Sequence, residues 1–183
     1  MRGLVPDDLT LFKSVFEWEV PLHVAVKPEE EYLSAKFAIV EFLKTGTTCF
    51  GEAGTTLNPQ AVVKAAEEMG VRGTVGRWAW DVPTKPDRYA MTPDDALRGI
   101  EDTIRKFHGR ADGRVRAWAS VIGQNTCSDE LLAGAKELAD RDETRMHMHQ
   151  SAVQEEVDTM LKEKGVRPMK HFEKVGIMGR TLR

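Results

Sequence analysis

The feature that most constrains this chain is a regular alternation of short strand-like segments with longer, capped helical ones. Pro28 opens PEEEYLSAKFAIVEFLKTG, and proline suits a first helical turn because its missing N–H has no partner there. Glu29, Glu30 and Glu31 lie at the positive end of the helix dipole, Lys44 lies near the negative end, and Gly46 follows as a stop. TTCFGEAG then reads as a buried strand. The cycle repeats with the helix PQAVVKAAEEMG from Pro59 to Gly70, and the strand VRGTVGRWAWD. Thr92 caps TPDDALRGIEDTIRKFHG, RVRAWASVIG is the third strand, and Ser128 caps SDELLAGAKELADR. TRMHMH is the fourth strand, QEEVDTMLKEKG the helix after it, and RPMKHFEKVGIMG a short final helix.

Strand–helix units joined by short turns predict parallel strands, each returned by a right-handed crossover. The strands themselves favour a barrel. In RVRAWASVI, Val115, Ala117, Ala119 and Val121 alternate with Arg116, Trp118, Ser120 and Ile122. The small apolar set suits an outer ring of helices, and the polar and bulky set suits a barrel interior with its site at the strand C-termini. A doubly wound sheet would more often carry a glycine-rich phosphate loop, and GEAGTT has neither dinucleotide spacing nor a P-loop lysine. The predicted fold is therefore α/β, a (β/α)8 TIM-barrel-like architecture. A whole barrel takes roughly 250 residues, so the 183 residues, read as one domain over 1–183, are expected to hold strands 2–5 of a longer protein.

Charge and composition narrow the partners. Lys and Arg total 26 against 29 Asp and Glu, a formal charge of −3, with no basic patch, so nucleic acid is not expected as a partner. No run of ~18 apolar residues suggests a membrane span, and MRGLVPDDLTLFK lacks the apolar segment of a secretory signal. Cys49 and Cys127 are too few for a disulfide framework and read as small buried hydrophobes, which fits a cytoplasmic protein.

Several residues could carry chemistry. His147 and His149 are two apart on a strand and so share a face; His149 would reach a metal at the barrel mouth, or both are structural histidines. RWAWD sets Trp78 and Trp80 between Arg77 and Asp81, an aromatic wall suited to a flat polar heterocycle, or else packing with a surface ion pair. Gln124 and Asn125, in the loop after the third strand, could hydrogen-bond a substrate or be solvated. Glu52 ends a strand as a pocket acid or a solvated turn residue. His171, on a predicted helix, is expected at the surface or at a helix end, away from the pocket.

In order along the chain, VEFLKTGTTCFGEAG, VVKAAEEMGVRGTVGRWAWD, TCSDELLAGAKELAD, RMHMHQS and GVRPMKHFEKVGIMGR resemble the amidohydrolase superfamily, in the branch of triazine hydrolases, cytosine deaminase and S-adenosylhomocysteine deaminase. The resemblance implies a metal-activated water attacking a C–N or C–Cl bond of a small nitrogen heterocycle. It also implies one divalent metal, zinc or iron, held by an H-x-H after the first strand, a histidine on the fifth, another on the sixth and an aspartate on the eighth. Only the fifth-strand ligand has a counterpart here, and it is His149.

Two positions depart from the family pattern. The glutamate that shuttles protons, three residues after the fifth-strand histidine, is replaced by Ala152. The histidine ahead of the T-C-S motif is replaced by Ile122. Gln150, Glu155 and Glu156 are the nearby polar residues that could substitute, and Gln150 joins Trp80, Asp81, Gln124, Asn125 and Glu52 as a candidate substrate contact. A non-catalytic barrel, or a segment inactive without the rest of its metal site, is the alternative. The open edges of a partial barrel further predict association into homo-oligomers.

Overall fold

The computed structural model describes residues 5–83 and 90–179. A helical segment comes first: α1 (Leu11–Lys13), a π-helical turn (Ser14–Glu19) and α2 (Val20–Ala25). Then follow α3 (Pro28–Lys44), β1 (Cys49–Gly51), α4 (Pro59–Met69), β2 (Arg72–Val75) and α5 (Pro93–Phe107). The remainder is β3 (Val115–Ala117), β4 (Ala119–Gly123), α6 (Asp129–Arg141), β5 (Met146–His149), α7 (Gln154–Lys164) and α8 (Pro168–Val175).

The helix ends lie where local chemistry puts them. Thr92 Oγ1 accepts from the Asp95 N–H at 3.1 Å, and Ser128 Oγ accepts from the Leu131 N–H at 3.1 Å, so each hydroxyl satisfies one orphan donor. Gly70, Gly165 and Gly176 close α4, α7 and α8 in the left-handed conformation, which costs glycine little.

Among the described residues all strand pairs are parallel. β1 pairs with β2, β2 with β3, and β4 with β5. The third expected strand, RVRAWASVIG, divides at Trp118. Up to that residue it bonds β2, and the Trp118 N–H donates to the Val75 carbonyl at 3.0 Å. From Ala119, whose N–H donates to Arg145 at 2.8 Å, it bonds β5. Further on, the Ile122 N–H returns to the Ala79 carbonyl at 3.1 Å. Residues 115–123 are thus one extended run bonded on both sides.

Alternation along this run sorts its side chains. Val115, Ala117, Ala119 and Val121 are fully buried and pack with Val63 of α4, Ile100 of α5 and Leu131 and Leu132 of α6. Burying a side chain of that size is worth ~1.5–3 kcal/mol, so this apolar layer carries the helices. On the opposite face Ser120 is buried against two glycines. A Cβ on Gly76 would lie 2.3 Å from the Ser120 Cβ, and one on Gly54 would lie 2.8 Å from it. Gly54 also has φ +79°, so both the close approach and the backbone call for glycine there.

Two features face outward. β1 and β5 are the open edges of the described strands, and α3 exposes Leu33 and Phe37 at 63% and 67%. Among the described residues no helix is long and apolar enough to cross a membrane.

Gly76→Ala should destabilise the protein by ~1–3 kcal/mol, the usual range for overpacking, because the buried Ser120 has nowhere to move. Adding Ser120→Gly should recover part of the loss. Urea denaturation of the two variants reads both effects; an unchanged midpoint for Gly76→Ala would contradict the packing described.

Candidate active site at the strand C-termini

Because the strands are parallel, their C-terminal ends share one rim, and most of the candidate residues lie there. Met146 and Met148 pack against the outer core, which leaves the rings of His147 and His149 on the other face, 6.0 Å apart. His147 also meets Trp118 edge-on at 6.2 Å. Burial holds the His147 imidazolium below its ordinary range, the neighbouring His149 adds to this, and Glu52 opposes it.

His149 is solvent-facing, and its Nδ1 lies 2.8 Å from the Ile122 carbonyl. A carbonyl only accepts, so Nδ1 carries a proton, and in the neutral ring Nε2 is then the nitrogen with the lone pair. This is the arrangement by which a backbone carbonyl orients a metal-binding imidazole. Among the described residues no three His, Cys, Asp or Glu side chains come together in a metal-holding group. The residues present fit one ligand of a metal site, not a complete set.

The predicted substrate contacts divide into two groups. Glu52, Asp81 and Gln124 are committed to the protein itself. The Glu52 carboxylate accepts from the N–H groups of Gly54 and Thr55, each at 2.8 Å, and of Gly76 at 3.2 Å, and so ties the β1 loop to the end of β2. It is an organised loop anchor rather than a solvated turn acid. Asp81 accepts from Ser128 N–H at 2.7 Å and from the Ser128 hydroxyl at 2.5 Å, which fixes the start of α6. Arg77 does not pair with it: its guanidinium lies over Gly99 of α5. Gln124 donates from Nε2 to the Glu156 carbonyl at 3.0 Å and accepts from Ser151 N–H at 3.2 Å, which clamps the β4 and β5 loops together.

Trp80 and Asn125 line a cavity with His149, whereas Gln150 stays exposed and accepts from the Ser151 hydroxyl at 2.6 Å. Trp80 is buried, stacks on Trp78 with centroids 5.5 Å apart, and donates from Nε1 to the Val82 carbonyl at 2.5 Å. The Asn125 Nδ2 atom is buried without a hydrogen-bond partner. Of the acids near Ala152, Glu155 is exposed, while Glu156 lines the cavity and accepts from the Ala152 N–H at 2.6 Å through Oε2.

Of the two places expected for His171, the structure shows packing at a helix end: it is buried, its Nε2 lies 2.7 Å from Asp129 Oδ1 at the first turn of α6, and it is absent from the cavity lining. Two findings differ from the sequence reading. Cys49 is exposed, since it sits at the start of the edge strand β1; Cys127 alone is buried. The helical cover over residues 11–25 was not anticipated. Phe16 meets Trp80 edge-on at 5.5 Å and His23 lies 6.3 Å from Trp78, while Val20 is buried with both tryptophans. The spacing of Leu11, Phe12, Val15 and Phe16 carries the helical period that signals it.

Comparison with known proteins places this arrangement among others. The sequence profile of the amidohydrolase family matches residues 5–180. A 5'-deoxyadenosine deaminase from Methanosphaera stadtmanae is 29% identical over 97% of this chain and 40% of its own length. A 5-methylthioadenosine/S-adenosylhomocysteine deaminase from Thermodesulfovibrio yellowstonii is 32% identical over 97% of this chain and 39% of its own. The crystal structure of an adenosine deaminase from Xanthomonas campestris with bound zinc superposes with a TM-score of 0.79 at 24% identity, over 94% of this chain and 38% of that one. The chain thus spans about 40% of the length of the curated relatives it matches, and its parallel α/β fold is that of part of a TIM barrel.

The cysteines give a direct check on the described packing. Burial pushes the Cys127 thiol up to about 11, so at about pH 8 only about one molecule in a thousand would carry the thiolate. One thiol, Cys49, should react promptly with a disulfide reagent, and the second only after denaturation. Two fast thiols in the native protein would contradict this assignment.

Proposed function

This chain belongs to the amidohydrolase family, and from that premise we propose that the full-length protein is a metal-dependent hydrolase of a C–N or C–Cl bond in a small nitrogen heterocycle. The observation that carries the reading is the His149 imidazole, with Nδ1–H committed to the Ile122 carbonyl at 2.8 Å and Nε2 free at the strand C-termini. His149 would supply one ligand to a divalent metal, zinc or iron; a zinc ion is named with the Xanthomonas campestris deaminase. When bound, such a metal supplies Lewis acidity that makes water nucleophilic near neutral pH.

The chain's own residues perform the remaining tasks. Glu156 is the carboxylate we assign to proton transfer in place of the glutamate missing at Ala152. It would take a proton from water as the oxygen–carbon bond forms and return it to the leaving nitrogen as the carbon–nitrogen bond breaks. The unpartnered Nδ2 of Asn125 would donate to a ring heteroatom. Trp78 and Trp80, with Phe16 above them, keep water off that wall. Two free cysteines and the lack of a membrane-spanning helix among the described residues support a cytoplasmic setting.

A second reading, a non-catalytic homologue, is favoured by Ala152 itself. Metal analysis separates the two. In the full-length protein His149→Ala should lower bound metal at least ~10-fold, the lower bound for disturbing such a site, while His171→Ala, which removes only the contact to Asp129, should leave it unchanged. Equal metal in wild type and His149→Ala would defeat the assignment. Metal retention without ammonia or chloride release across a heterocycle panel would favour the non-catalytic reading.

The 183-residue chain expressed alone should be catalytically silent, for want of the other ligands, and should associate through the exposed face of α3 and its strand edges. Light scattering during size-exclusion chromatography, with a chelator-sensitive deaminase assay, tests both; a monomer with metal-dependent turnover would contradict both.

A further inference from the structure

Among the described residues, helix α3 meets its neighbours on three sides, and its fourth side carries an ordered pattern that the proposed chemistry does not use. Toward the core, Ile39 is buried and Ala35 packs beside it. Toward α4, Lys36 Nζ lies 3.2 Å from the Glu68 carboxylate, which also accepts from the Tyr32 hydroxyl. Toward β1, Ser34, Ala38 and Phe42 line a groove, and the Phe42 ring lies 6.4 Å from that of Phe50. The fourth side holds Glu29, Leu33, Phe37, Val40 and Lys44, spaced four, four, three and four residues apart, so they form one stripe along the helix. All five are exposed.

Completing the barrel does not cover this stripe. A further strand would pair with the open edge of β1 and fill the groove beside Ser34 and Phe42. The helices of a barrel form its outer ring, which turns the stripe away from the rest of the barrel. An apolar row flanked by charged residues on such a surface marks a protein–protein contact.

The pattern is complementary to itself. Glu29 and Lys44 lie equally far from the midpoint between Lys36 and Phe37, and so do Leu33 and Val40. A two-fold axis in the contact plane, level with that midpoint and at right angles to α3, lays a second α3 antiparallel to the first. Glu29 then meets Lys44 of the partner subunit at one end of the stripe, and the same pair recurs at the other. Leu33 meets Val40 of the partner subunit, and the two Phe37 rings flank the axis. This is the isologous geometry of a closed dimer. Parallel pairing would instead set Glu29 against Glu29 and Lys44 against Lys44, like charges that repel.

We propose that the full-length protein is a two-fold dimer in which α3 packs antiparallel against α3 of a second copy. The association expected of the isolated segment fixes no register, whereas this contact does. It belongs to the outer ring of the barrel and stands whatever reaction the strand ends carry out.

Sedimentation equilibrium of the full-length protein tests it. Wild type should be a dimer. Phe37→Glu should leave the far-ultraviolet circular dichroism unchanged and raise the dimer dissociation constant at least ~30-fold, the size of a central hot spot. Glu29→Lys and Lys44→Glu should each weaken self-association, because each sets like charges together at both ends. Mixed with each other, these two variants should form a heterodimer about as tight as wild type, and both changes in one chain should restore self-association. A monomeric wild type would overturn the proposal, and amide exchange would then show whether the rest of its own chain covers the stripe. A dimer that Phe37→Glu leaves intact would overturn it too, since another face must then hold the copies together. Charge variants that do not recover in the mixture would overturn the antiparallel register.

Discussion

The structure depends on the hydrogen bonding of one extended segment, residues 115–123, to neighbours on both sides. Trp118 and Ile122 donate to the Val75 and Ala79 carbonyls, and Ala119 donates to Arg145. Those bonds hold a period-2 side-chain pattern in place. Its outer set, from Val115 to Val121, is fully buried and carries the helices. Its inner set packs Ser120 into the space that Gly54 and Gly76 leave open. At its end, the Ile122 carbonyl selects the tautomer of His149. Packing and site chemistry therefore share a single backbone, and a one-residue slip would exchange the two faces.

Much of this was legible in the sequence because the signals were local. Pro28, Pro59, Pro93, Thr92 and Ser128 mark helix starts through the chemistry of their own turns, and the elements begin there. The parity of His147 and His149 follows from the strand period alone. Residues whose partners are remote could not be read in this way. The hydrogen bonds of Asp81 could not be read locally because Ser128, which meets both its oxygens, is 47 positions away. His171 left two places open because Asp129, whose contact decides for the helix end, is 42 positions away. Gln124 likewise bonds to residues that only the fold brings near, and Glu52 adds the remote Gly76 N–H to its local bonds with Gly54 and Thr55. The helical cover over residues 11–25 contains a π-helical turn and rests on Trp78 and Trp80.

The site shows a division of labour that the family resemblance alone would not predict. Glu52, Asp81 and Gln124 hold loops, and the side chains facing the cavity are mostly apolar, with Asn125, Glu156 and His149 as its polar group beside the strand ends. Glu156 accepts from the Ala152 N–H, and both residues line the cavity beside His149.

The most direct measurement is the tautomer of His149, read from long-range proton–nitrogen correlations of the imidazole in the metal-free full-length protein at a pH where the ring is neutral. The account predicts the Nδ1-protonated form, with its proton bound to the Ile122 carbonyl and Nε2 unprotonated. A predominantly Nε2-protonated ring would mean that the strand does not prepare His149 as a ligand, and would contradict the central claim.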